Sequence, residues 1–137
     1  MAEQEKRPLD TKLRRRGFTS YCGLEFTELQ EDRVVISCPL RPELLNPMGI
    51  AHGGIIATAT DVAAGCMALM ADGNTRGVVT QSCSIHYLRP GTGKELRAVA
   101  HLLRKGGRSC VVQVDCLTDD DVTAATAIYE IAYINTH

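Results

Sequence analysis

AHGGIIATATDVAAGCMALMA, residues 51–71, holds a single charged side chain, Asp61, in an otherwise apolar run. The run is too long for a strand and contains no proline. It therefore predicts a helix from about Gly53 to Ala71, ended by Asp72-Gly73-Asn74. Such a helix is apolar almost all round and is expected to be covered on most of its sides. The segments on either side of it supply the cover.

Before the helix, strands are expected over residues 21–29 and 33–40, with Glu31-Asp32 as the turn between them. The second contains the β-branched run Val34-Val35-Ile36. Residues 41–51 form a loop in which Pro42, Pro47 and Gly49 act as breakers. After the helix the apolar period becomes two. Residues 78–88 read as a strand ended by Arg89-Pro90-Gly91. Over residues 95–104, Leu96, Ala98, Ala100 and Leu102 share one face, with Glu95, Arg97 and His101 on the other. Lys105-Gly106-Gly107 reads as a hairpin turn, 109–117 as the next strand, Asp119-Asp120-Asp121 as a turn and 124–134 as the last strand. The expected order is two strands, a buried helix and four strands in a meander. An antiparallel sheet curled round one long helix satisfies it, because the helix can fill the concave face. The fold class is α+β. One domain is expected over residues 21–137, after a helical segment over 1–20 in which Leu9, Leu13 and Phe18 recur at helical spacing.

The chain has 137 residues, 45% of them apolar, and a net charge of −1. That length favours one domain with one core, and the apolar content argues against disorder. The charge balance offers nothing to a nucleic acid, and Arg14, Arg15 and Arg16 read as a solvated face. The uncharged run 62–71 is about half of the roughly 20 residues a membrane span needs. No N-terminal apolar segment resembles a signal peptide, and Glu3, Glu5 and Asp10 argue against an organellar presequence, so the expected compartment is the cytoplasm. Cys22, Cys38, Cys66, Cys83, Cys110 and Cys116 form no C-x-x-C pair and no zinc-like spacing with histidine. They are expected to be reduced core side chains, with no metal and no cofactor.

Asp61 is the anomaly. A carboxylate in so apolar a helix is costly to bury and needs a donor, a water or a chemical task. Eight residues earlier, Gly53-Gly54 strip side chains from the helix N-terminus and leave N–H groups of partial positive charge open to a polar carbonyl. The plainer alternative is a structural acid bonded to a neighbouring hydroxyl such as Thr58 or Thr60.

The pattern Asn46-x-x-Gly49-x-x-His52-Gly53-Gly54, with Asp61 seven residues on, resembles the hotdog-fold acyl-CoA thioesterases of the phenylacetate-pathway (PaaI-like) branch. Tyr87-Leu88-Arg89-Pro90 and Lys105-Gly106-Gly107-Arg108 are similar to that branch's strand end and hairpin, so the resemblance spans roughly residues 24–133. It implies a six-stranded antiparallel sheet wrapped around one central helix. It also implies hydrolysis of an acyl-CoA thioester to a carboxylic acid and free coenzyme A. In that chemistry the Gly53 N–H would stabilise charge developing on the carbonyl oxygen. Asp61 would act as general base on water or as nucleophile on the carbonyl. The resemblance further implies carbonyl binding by Asn46, a Thr80 hydroxyl that holds the water or the carboxylate, and substrate-proximal places for His52 and Gly54. Arg89, Arg104, Lys105 and Arg108 are candidates for the phosphates of coenzyme A.

Eight helical residues separate Gly53 from Asp61 by about 12 Å, at ~1.5 Å per residue, too far for both to serve one carbonyl easily. A two-fold homodimer closes the gap if Asp61 of one chain faces Gly53 of the other. The resemblance implies the same arrangement, with Asn46 and Gly53 from one subunit and Asp61 and Thr80 from the other, and with dimers paired into homotetramers. Two further readings stand beside it. An enoyl-CoA hydratase-like enzyme would carry a D-x-N-P-apolar-H motif, broken here by Leu44 and by His52 five residues past Pro47. A non-catalytic acyl-CoA-binding domain would have no use for Asp61.

Overall fold

The computed structural model describes residues 17–135, so Leu9, Leu13 and the three consecutive arginines of the expected N-terminal helix lie outside the described residues. A short helix, α1 (Phe18–Tyr21), comes first. Gly23, at φ 75°, then turns the chain into strand β1 (Glu25–Leu29). Tyr21, expected to open a strand, closes a helix instead, because the left-handed turn at Gly23 separates the two elements.

The remaining elements are β2 (Arg33–Pro39), a 3-10 turn (Pro42–Leu44), α2 (Gly53–Ala71), β3 (Gly77–Tyr87), β4 (Glu95–Lys105), β5 (Ser109–Leu117) and β6 (Thr123–Ile134). The six strands form one sheet in the order β1-β2-β4-β5-β6-β3, antiparallel throughout. With α2 packed on its concave side, this is the hotdog fold.

Alternation along the strands builds the core. In β5, Cys110, Val112, Val114 and Cys116 are buried and the residues between them are not. In β6, Ala125, Ala127, Tyr129, Ile131 and Tyr133 take the same face. The helix meets them with Ala59, Ala63, Ala64 and Ala68, whose small side chains let it lie close to the sheet, while Met67 and Met70 fill the remaining space. By length and mean hydropathy α2 could cross a bilayer, yet ten of its residues pack inside the protein. Its C-terminus unwinds through Gly73 and Asn74, at φ 65° and 58°, with the Asn74 N–H donating to Leu69 O at 2.8 Å.

Three expectations need correction. The last four strands are not one meander: β4, β5 and β6 are, but β3 lies at the far edge and pairs with β6, while β4 pairs with β2. The connection 88–94 explains how. Three strand spacings of ~4.8 Å put β4 about 14 Å from β3, and seven extended residues reach roughly 23 Å. Second, α2 is covered on one side rather than most: Ala57, Thr58, Asp61, Val62, Gly65 and Leu69 remain at least partly accessible. Third, five cysteines are buried but Cys83 is exposed, because β3 is an edge strand that α2 only partly covers.

β3 also carries a bulge. Its register with β6 shifts between Thr80 and Ser82, leaving Gln81 as an extra residue. Before it, Val78 and Thr80 face the helix; after it, Ile85 and Tyr87 do. Without the extra residue, strict alternation would send 85 and 87 to the opposite face from 78 and 80.

Candidate active site

The loop before α2 places the helix start. Leu45 and Ala51 form a β-bridge, and the His52 N–H donates to Leu44 O at 2.9 Å. Inside this loop the Asn46 side chain is engaged: its Oδ1 accepts from the N–H of Met48 at 2.9 Å and of Ile50 at 3.3 Å. Asn46 is thus a turn builder through its oxygen, and only its amide nitrogen is left to face a ligand.

His52 is the N-cap of α2. Its Nδ1 accepts from the Gly54 N–H at 2.8 Å, and its backbone oxygen accepts from Ile55 and Ile56. The Gly53 N–H has no acceptor among the described residues. Gly53 is one of the residues that line a cleft of about 410 Å³, with Ile50, Ala51, Ile56, Tyr87, Leu88, Arg89, Pro90 and Gly91. Gly91 keeps that cleft open, since a Cβ there would lie 3.0 Å from Ala51 Cβ and 3.4 Å from Ile56 Cδ1. A free N–H on the positive end of a 19-residue helix, beside an apolar cleft, is suited to stabilising an oxyanion.

Asp61 lies two turns further along α2 and is exposed, contrary to the burial expected from its apolar surroundings. Its partner is Thr80, whose Oγ1 donates to Asp61 Oδ1 at 2.7 Å. The neighbouring threonines do not serve it. Thr58 Oγ1 donates to Gly54 O, and Thr60 bonds Ala57 O and the Tyr129 hydroxyl. Beneath the carboxylate, burial pushes the Tyr129 phenol well above its usual range, and the charge of Asp61 adds to that in smaller measure. Tyr129 therefore stays neutral, locked to Thr60 at 2.7 Å.

The candidate cations are scattered. Arg89 borders the cleft, with Nη1 donating to Thr123 O at 3.0 Å. Arg104, Lys105 and Arg108 sit on the β4–β5 hairpin at the other end of α2, about 28 Å away along a helix of this length. Lys105 is already engaged, 3.6 Å from Asp72 Oδ1 and 5.0 Å above the Tyr133 ring; Arg104 and Arg108 are exposed. Among the described residues no group of three His, Cys, Asp or Glu side chains could hold a metal ion. Burial pushes the Cys66 and Cys116 thiols up to about 12 and Cys38 up to about 11, so these are inert core groups.

Within one chain, then, Asp61 and Thr80 lie together at one place on α2, and Gly53, Gly54, His52 and Arg89 gather at its start. Tyr87, part of the quoted strand end but given no role from sequence, joins the second group. The model of the thioesterase superfamily matches residues 48–125, a span that contains both groups and leaves Asn46 just outside it. The chain belongs to the thioesterase superfamily. A provisionally named esterase of Saccharolobus solfataricus is 30% identical over 108 residues, covering 79% of this chain and 76% of that protein. A medium/long-chain acyl-CoA thioesterase of Salmonella typhimurium is 27% identical over 129 residues, covering 82% and 83%. The solved structure of the E. coli PaaI protein from the phenylacetic acid degradation operon superposes with a TM-score of 0.87 over 98% of this chain and 96% of that one. At 18% identity that match is one of fold. The superfamily and the relatives named as acyl-CoA thioesterases support thioester hydrolysis as the activity of this chain.

Proposed function

We propose that the chain is an acyl-CoA thioesterase whose site is completed by a second copy of itself. The observation that carries this is the unpaired Gly53 N–H at the wall of an apolar cleft. The same helix also presents an accessible carboxylate held by a strand hydroxyl. The thioester carbonyl oxygen accepts from Gly53 as negative charge builds on it. Asp61 either takes a proton from the attacking water or attacks the carbonyl itself. In the first route the hydroxide adds, the C–S bond breaks, and the proton taken by Asp61 passes to the leaving thiolate. In the second the C–S bond breaks to leave an anhydride on Asp61, which water then hydrolyses to the acid, the proton of that water going to the thiolate. Thr80 occupies one carboxylate oxygen and leaves the other for this work. Ile50, Ala51, Ile56, Leu88 and Pro90 suit an apolar acyl group.

The distance of about 12 Å between Gly53 and Asp61 along one helix supports a two-fold pair in which each chain supplies what the other lacks. An open face of α2 and an exposed eleven-residue edge strand, β3, support the same arrangement. With the helices antiparallel, the hairpin of one chain, bearing Arg104 and Arg108, approaches the Gly53 end of the other, where Arg89 stands. These cations then serve the phosphates of coenzyme A.

Thiol release from a panel of acyl-CoAs, comparing wild type with Asp61→Asn, tests the reading. Asparagine keeps the shape and removes the base or nucleophile, so turnover should fall by at least about 100-fold while acyl-CoA binding persists. Equal rates in the two proteins would sink the mechanism. Binding without hydrolysis by the wild type would make the chain an acyl-CoA-binding module. Full activity in a protein of monomer mass would contradict the shared site.

A further inference from the structure

The peptide unit between Gly53 and Gly54 is gripped at both ends. Its N–H donates to His52 Nδ1 at 2.8 Å, and its C=O accepts from the Tyr87 hydroxyl at 3.3 Å. His52 reaches it from the preceding loop and Tyr87 from the last residue of β3, so the two holds come from separate elements. Tyr87 lies in ordinary contact with the backbone, and His52 lies tighter against it. A Cβ on Gly53 would lie 3.5 Å from Tyr87 Cε1, and one on Gly54 would lie 3.0 Å from His52 Nδ1.

Consecutive glycines have wide φ/ψ freedom, and these two stand in the first turn, where N–H groups lack helical acceptors. The Gly53 N–H belongs to the preceding peptide, whose His52 C=O accepts from Ile55 and Ile56. Only if the next peptide is held as well are both torsions of Gly53 fixed and the N–H kept on one heading. A donor stabilises an oxyanion well only if its direction is set before the charge forms. We propose that His52 and Tyr87 are positioning residues that clamp the Gly53–Gly54 peptide and thereby aim the free Gly53 N–H. This rests on the reading of Gly53 as the oxyanion donor, and it places His52 behind the donor rather than against the substrate. The bulge at Gln81 is part of the device, because it turns Tyr87 to the same side of β3 as Thr80. One strand thus holds Asp61 near its middle and Gly53 at its end.

Three substitutions separate the clamp from plain packing. Tyr87→Phe keeps the ring and removes the hydroxyl. His52→Ala removes the acceptor, and His52→Asn retains an N-capping oxygen. Tyr87→Phe and His52→Ala should each lower kcat about fivefold, the scale of one hydrogen bond, with KM within about twofold of wild type. His52→Asn should recover most of the loss. The double variant should fall little below either single one, since both side chains hold one peptide. Hydrogen exchange at the Gly54 amide should quicken in Tyr87→Phe as well as in His52→Ala, with the thermal midpoint little changed. Wild-type kcat together with wild-type Gly54 exchange in Tyr87→Phe would overturn the proposal, as would a loss confined to KM. If the wild type hydrolyses no acyl-CoA, the thioesterase reading fails by itself. The exchange measurement then decides the clamp alone: faster exchange in Tyr87→Phe supports it and unchanged exchange refutes it.

Discussion

Replacing Thr80 with valine removes one hydroxyl from the site and almost nothing from the fold. The hydroxyl donates to Asp61 Oδ1 at 2.7 Å, and both residues are exposed. Valine keeps the branched shape that suits a strand. A hydrogen bond to a charged group contributes about 1.5–3 kcal/mol when shielded from water, and exposure places this one at the lower end. At about 1.4 kcal/mol per factor of ten, kcat should fall roughly tenfold. KM should hold, because Thr80 acts on the carboxylate and not on the substrate. Stability should fall by no more than the bond is worth in the resting protein, about 1 kcal/mol for an exposed pair. Thiol release over a range of acyl-CoA concentrations gives kcat and KM separately, and thermal melting reports the fold. Thr80→Ser should restore most of the rate. Wild-type kcat in Thr80→Val would refute the idea that the hydroxyl orients Asp61. A serine variant as slow as the valine one would show that the hydroxyl alone does not suffice and that the threonine methyl is needed to hold it in place.

Two further predictions concern the frame around the site. Gly91→Ala pushes a methyl to 3.0 Å from Ala51 Cβ in a tightly packed corner. Denaturant melts should show a loss of about 1–3 kcal/mol and kinetics a raised KM, whereas an unchanged KM would mean the cleft beside Gly53 is not where substrate enters. At the other end of α2, the Arg76 guanidinium hydrogen-bonded to Asp72, aided by Thr75 and Lys105, holds that carboxyl down to about 2 from an ordinary 3.8. Because the folded value is depressed, the contribution is complete above about pH 4 and disappears as pH falls through about 2. After solvent screening it amounts to about 1 kcal/mol. The stability gap between wild type and Asp72→Asn should therefore shrink between pH 5 and pH 2.5; a gap independent of pH would locate the contribution in packing.

Most of the architecture was legible because its signals are local. The long apolar run of α2 and the alternation in β5 and β6 are periodicities that a backbone must obey wherever it ends up. Partner choice is not local. That β3 joins β6 and not β4 depends on where α2 delivers the chain and on a connection long enough to pass two strands, neither of which leaves a mark within β3 itself. Gly53 and Asp61 stand out in the sequence as candidates, since a bare helix start and a lone carboxylate are both anomalies in composition. The Asp61–Thr80 hydrogen bond was not legible from the residues alone, because many hydroxyls lie nearby in sequence and the one that matters is nineteen residues away. Tyr87 drew no role because an aromatic residue at a strand end is ordinary. Only the bulge at Gln81 turns it toward the helix.

That bulge makes β3 a strand with a fixed reading phase. A one-residue insertion or deletion between Thr80 and Tyr87 would exchange the faces of everything beyond it, so either the threonine or the tyrosine would turn its back on α2. A change of one residue in the seven-residue connection 88–94 disturbs no such phase. Among proteins built on this plan, length variation should therefore gather in that connection. β3 should keep a constant count between the residue that serves the carboxylate and the residue that closes over the helix start.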